Sequence, residues 1–248
     1  MKLPLGQRCA AEFIGTFVLI FIGCGAMVVD GVTGGVVTHA GVAIAWGIAV
    51  MTMIYAIGDI SGAHINPAVS IAFSIAGRHS WRDTAAYIPA QLAGSLAAAG
   101  VLWVCFPVHD TLGATQLVGA AWRGGVIELV ITFVLMFVIL GVSTGAKEKG
   151  ITAGLAIGAT VAMASMATGP ITNASMNPAR SLGPMLLSGT LSHWWLYVAA
   201  PIGGAALAVP VYHFIRCGAA TADAPACCEE PQPTTEPLAS VPPAETAS

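Results

Sequence analysis

Ser61-Gly62-Ala63-His64-Ile65-Asn66-Pro67-Ala68-Val69 is answered later in the chain by Asn173-Ala174-Ser175-Met176-Asn177-Pro178-Ala179-Arg180-Ser181. Each stretch carries Asn-Pro-Ala inside otherwise apolar sequence. Asn is a strong N-cap, and proline is favoured at the first helical position, where its missing N–H costs nothing. Both stretches therefore predict a helix start. The apolar run after each is short, at roughly 67–76 and 178–187. At roughly 1.5 Å per residue, each covers about half of a bilayer's hydrocarbon core. The pair reads as two re-entrant half-helices whose positive N-terminal ends are buried at depth.

The rest of the chain reads as the wall around them. It is 56% hydrophobic and 8% charged, against about a quarter charged in soluble domains. Six long apolar segments fall at roughly 10–29, 40–57, 84–105, 126–144, 151–167 and 194–215. The first is span-length rather than the short apolar core of a signal peptide. The nine Lys and Arg form no basic patch, which excludes nucleic-acid partners. The expected class is an all-α membrane protein: six transmembrane helices plus two half-helices, with the lipid bilayer as partner.

The chain repeats internally. Ala11-Glu12-Phe13-Ile14-Gly15-Thr16-Phe17-Val18-Leu19 and Ile127-Glu128-Leu129-Val130-Ile131-Thr132-Phe133-Val134-Leu135 share Glu-x-x-x-Thr-Phe-Val-Leu. Gly41-Val42-Ala43-Ile44 returns as Gly154-Leu155-Ala156-Ile157. Repeats of about 8–105 and 124–215 each hold three spans and one half-helix. Three is odd, so the second repeat enters from the opposite face, which makes an inverted 3+3 repeat with its site near the midplane. Lys2, Arg8, Arg78, Arg82, Lys147, Lys149 and Arg216 all fall on one side. The positive-inside rule makes that side, and both termini, cytoplasmic in a plasma (cell inner) membrane. Residues 1–216 are expected to form one transmembrane domain. From 217 to 248, proline is interleaved with Ala, Thr, Glu and Ser, which predicts a disordered tail, inert or regulatory. Its vicinal Cys227 and Cys228 are a weak soft-metal candidate, and the other cysteines read as small buried residues.

Glu12 and Glu128 are the acids deep in the spans. An intramembrane carboxylate is a functional candidate, as a proton or cation relay. It also suits a structural brace bonding the backbone of a re-entrant loop, because irregular backbone in a membrane needs such partners. The duplication, one Glu for each loop, favours the brace. Asn66 and Asn177 cap their half-helices and still have amide N–H groups to direct into a lumen. Two positive helix ends meeting there repel a cation and accept a hydroxyl or water oxygen. Arg180, in the first turn of the second half-helix, is expected to face a wet cavity and add to that barrier. His64 bonds local backbone or lines the pore, and the other histidines lie near span ends. No nucleophile–base pair or metal-ligand cluster appears in the spans, so no enzyme, metal or cofactor is expected.

These motifs resemble the major intrinsic proteins, the aquaporin and aquaglyceroporin family, over about residues 8–215. The resemblance rests on Asn66-Pro67-Ala68, Asn177-Pro178-Ala179-Arg180-Ser181, Ser61-Gly62-Ala63-His64, Glu12 and Glu128. It implies the hourglass fold, one pore per subunit and a homotetramer. Aquaporin-type pores are understood to select by diameter, lining donors and electrostatic barriers. The family's aromatic/arginine filter maps here onto Trp46, Ser165, Ala174 and Arg180. Water-selective members usually carry His where Ser165 stands and Phe where Trp46 stands, so the resemblance implies a wider aperture with one apolar wall. Trp46-Gly47-Ile48-Ala49-Val50-Met51 and Gly169-Pro170-Ile171-Thr172-Asn173-Ala174-Ser175-Met176 are most similar to the nodulin-like intrinsic proteins and their bacterial relatives. That subfamily passes glycerol, and some members pass undissociated metalloid acids. Ser181 departs from the Asp usual in bacterial glycerol facilitators. The implied function is a passive channel for small neutral solutes with some water permeability. A water-selective aquaporin is the alternative, ahead of a coupled transporter or a structural junction protein.

Overall fold

The computed structural model describes residues 3–107, 109–143 and 147–217; the tail beyond Cys217, with Cys227 and Cys228, lies outside them. Eight helices fill the described chain: α1 (Leu5–Val32), α2 (Thr38–Ser61), α3 (Pro67–Ile75), α4 (Trp81–Cys105), α5 (Ala121–Val142), α6 (Lys147–Thr172), α7 (Pro178–Ser188) and α8 (Leu196–Cys217). All but α3 and α7 are long and apolar enough to cross a membrane. Each span outlasts its apolar run at one end at least, because capping and interfacial residues are also helical. Ser80, for example, caps α4 by accepting from Asp83 N. The fifth span, short by hydropathy, is a full-length helix. Trp81, Trp103, Trp122 and Trp194 stand exposed near span ends, where amphipathic rings sit at the membrane–water boundary.

The packing is that of an inverted repeat. Exchanging α1, α2, α3 and α4 for α5, α6, α7 and α8 leaves the neighbour relations unchanged. Helix α1 packs on α4 as α5 packs on α8; α3 packs on α8 as α7 packs on α4; α2 and α6 pack on each other. Small residues permit the closest crossings, as expected where lipid removes any hydrophobic drive between helices. A Cβ on Gly47 would lie 2.5 Å from Gly158 O, and one on Gly158 2.6 Å from Gly47 O. Helices α2 and α6 therefore touch backbone to backbone at the centre of the repeat.

The connection between α4 and α5 is the long one. It folds inward rather than staying at the surface: Leu112, Ala114 and Thr115 are buried. Val118 N donates to Ile171 O at 2.8 Å, and Gln116 N to the Asn173 side chain at 2.7 Å. This strap holds the approach to α7.

Candidate functional site

Asn66 and Asn177 build the centre. Both are extended and cap the helix that follows: Asn66 Oδ1 accepts from Ala68 N at 2.9 Å, and Asn177 Oδ1 from Ala179 N at 3.0 Å. Each amide also crosses to the other repeat. Asn66 Nδ2 donates to Met176 O at 2.8 Å, and Asn177 Nδ2 donates to Ile65 O at 2.9 Å. The half-helices thus meet N-terminus to N-terminus, clasped by a reciprocal pair of bonds. Each amide has a second N–H, and both side chains line a central cavity of about 160 Å³.

The loops before the caps hold unusual backbone. Ala63, Ile65, Ala174 and Met176 have φ between 43° and 52°, a left-handed conformation uncommon outside glycine that persists only where the surroundings enforce it. The two glutamates enforce it. Glu12 Oε1 accepts from Ser61 Oγ at 2.7 Å and His64 N at 2.9 Å; Oε2 accepts from Ile65 N at 2.6 Å and Gln91 Nε2 at 2.8 Å. Glu128 accepts from Ser175 N and Met176 N, each at 2.8 Å. Both carboxylates are fully buried, and neither lines the cavity. Their geometry is that of braces.

Trp46, Ser165, Ala174 and Arg180, dispersed in the sequence, line the same cavity. Trp46 comes from α2, Ser165 from α6, Ala174 from the loop and Arg180 from the first turn of α7. The same cavity is lined by apolar side chains such as Ile139, Ile157 and Val161, and by Phe73, Val142 and Ser143. Arg180 is held more tightly than a cation facing open water would be. It is 2% exposed. Its Nη1 donates to Gly113 O at 2.8 Å, its Nη2 lies 3.2 Å from Met27 Sδ, and its Cζ sits 4.5 Å above the Trp46 ring. The aromatic face stabilises the charge. Among the described residues no carboxylate is in salt-bridge contact with it. His64 also lines the cavity, with Nδ1 3.0 Å from Ser70 Oγ.

Several contributors escaped the sequence reading. Ser70 went unremarked, and Ser181, noted only as part of the second motif, occupies the matching position, four residues after its asparagine; Ser181 Oγ lies 2.6 Å from Ser175 Oγ. Aligning the repeats one turn further would have found them. Tyr87 and Gln91 share one face of α4, polar in an apolar span, and their partners are Ser61 O and Glu12. Gly113 left no signal. Its role comes from where the strap folds.

Comparison with known proteins agrees with the fold. A family model described as Major intrinsic protein matches residues 2–212. Aquaporin NIP1-1 of Zea mays is 46% identical over 217 residues, covering 87% of this chain and 77% of the relative. Aquaporin NIP1-3 of Oryza sativa subsp. japonica is 47% identical over 218 residues, covering 87% and 76%. The X-ray structure of the aquaglyceroporin from Plasmodium falciparum superposes with a TM-score of 0.77 at 26% identity, over 87% of this chain and 98% of that one.

Proposed function

The chain belongs to the major intrinsic protein family, and on that premise we propose a passive pore for small neutral solutes, glycerol-like polyols and undissociated metalloid acids, with some water permeability. That it is a multi-pass transmembrane channel and not an enzyme follows from the family itself. The choice of solute is carried by one observation. The cavity that Arg180 and Trp46 line is also lined by the small side chains Ser165 and Ala174. Trp46 offers an apolar wall to a carbon or metalloid skeleton. Arg180 and the Ser165 hydroxyl offer hydrogen bonds to the hydroxyls across from it. Asn66 and Asn177 then relay the solute past two positive helix ends, which oppose cations. Arg180 adds a fixed positive charge to that barrier.

In the same reading the Glu12, Glu128 and His64 contacts are structural support, and residues 1–216 form one channel domain with a separate tail. The subunits assemble as a homotetramer in a plasma (cell inner) membrane, with both termini cytoplasmic. The test is stopped-flow light scattering on proteoliposomes, comparing water, glycerol and an undissociated metalloid acid without an ion gradient. Fast glycerol or acid entry supports the reading. Water flux alone overturns it in favour of a water-selective aquaporin.

A further inference from the structure

Pro170 lies inside α6. It has no N–H, so the Met166 carbonyl four residues earlier loses its helical donor. A residue from another helix replaces it: His39, in the first turn of α2, places Nε2 2.9 Å from Met166 O. The partner is a carbonyl, so this ring nitrogen carries the proton, which fixes the tautomer. Gly169 makes the seat, since a Cβ there would lie 2.7 Å from His39 Cε1.

The position of this bond gives it consequence. Met166 follows Ser165, which lines the cavity. On α2, His39 and Trp46 are seven residues apart and share a face, about 10 Å apart along the axis. The bond therefore joins the two helices that carry Trp46 and Ser165, both of which line the cavity. Those helices are already pinned backbone to backbone at Gly47 and Gly158. Between that crossing and the His39 clasp, the separation of Trp46 and Ser165 is fixed at both ends.

We propose that His39 is a positioning residue that sets the width of the Trp46–Ser165 gap and thereby the size discrimination among neutral solutes. The proposal rests on the neutral-solute reading above. It is tested in proteoliposomes by the permeability ratio of erythritol to glycerol. Loss of the clasp in His39→Ala lets the end of α6 yield, and the ratio rises about threefold to tenfold, the range one ordinary hydrogen bond supports. His39→Gln keeps an N–H donor at similar reach and restores most of the discrimination. Pro170→Ala returns the missing backbone N–H to Met166 O, so adding His39→Ala to it changes the ratio little. An unchanged ratio in His39→Ala, or an equal change with and without Pro170, overturns the proposal. A wild-type protein that passes no polyol removes the solute reading instead. The nitrogen resonances of isotope-labelled His39 then decide the clasp: a protonated, hydrogen-bonded Nε2 supports it, and an Nδ1–H tautomer overturns it.

Discussion

The two re-entrant loops are alike in backbone and unlike in what holds them. The first is held by side chains of its own repeat. Glu12 takes two backbone N–H groups, a serine hydroxyl and the Gln91 amide, while Tyr87 donates to Ser61 O at 2.8 Å. In the second, Pro201 stands where Gln91 would be, and the hydroxyl of Tyr197, counterpart of Tyr87, is buried without a hydrogen-bond partner among the described residues. Compensation comes from outside the repeat. The 106–120 strap ties Asn173, Ile171 and Arg180 through Gln116, Val118 and Gly113. Beyond the reciprocal asparagine clasp, one loop is braced within its own repeat, and the other shares its support with the segment that also fixes the arginine. Stability and selectivity should therefore separate between the halves.

The largest effect is expected at the self-contained brace. Glu12→Gln turns an amide NH₂ toward groups that donate to it now, and leaves at least one backbone N–H, of His64 or Ile65, unsatisfied in a buried site while Ser61 and Gln91 must reorient. A cost of about 2–4 kcal/mol follows. Glu128 takes two backbone N–H groups through opposite oxygens and the Thr172 side chain, but has no counterpart of the Gln91 amide, so Glu128→Gln disturbs fewer groups and should cost less. Thermal unfolding in detergent, with both variants side by side, measures the gap. Equal losses would erase the distinction between the loops. Altered coupling to an ion gradient in a folded Glu12→Gln would make the carboxylate a relay.

Gly113→Ala attacks the shared support. Gly113 has φ +72°, and a Cβ there would meet Cys24 Cβ at 2.8 Å and Cα at 2.9 Å. The strap must lift, taking with it the carbonyl that Arg180 binds. A cost of about 1–3 kcal/mol is expected, accompanied by a rise in cation or proton leak, because the guanidinium loses its anchor. A destabilised channel with unchanged ion exclusion would show that Trp46 and α7 hold Arg180 without the strap.

Ser165→His sharpens the comparison at the constriction alone. The imidazole fills space beside Arg180, so glycerol flux should fall about tenfold or more while water flux falls less, since a steric barrier weighs most on the larger solute. Paired flux measurements on one vesicle preparation check it, and equal loss of both fluxes would remove Ser165 from the constriction.

Most of this architecture was legible in the chain because its physics is local or duplicated. A capped half-helix needs only Asn-Pro in the right place, and two copies of Glu-x-x-x-Thr-Phe-Val-Leu revealed the repeat without any knowledge of contacts. The proposed constriction rests on family resemblance, since nothing in the periodicity of α2 or α6 distinguishes Trp46 or Ser165 from packing residues. Gly113 and His39 were not legible. Each acts through a backbone carbonyl, its own or that of Met166, and a carbonyl carries no sequence. Gln91 stood between these cases: a lone amide in an apolar span announces a buried partner, but not that the partner is Glu12.

The smallest expected effect gives the cleanest reading of the asymmetry. Tyr87→Phe removes the donor to Ser61 O in a buried site and should cost about 1 kcal/mol, the net worth of one hydrogen bond. Tyr197→Phe removes a hydroxyl that bonds nothing among the described residues, while keeping a ring packed against Ala114, Met185 and Leu196. A buried polar group without a partner already carries a desolvation penalty, so its removal should be neutral or slightly stabilising. Unfolding midpoints of the two variants, compared under one detergent and lipid condition, decide the matter. If Tyr197→Phe costs as much as Tyr87→Phe, the hydroxyl is satisfied by a buried water. The second loop would then be braced as fully as the first, through solvent instead of side chains.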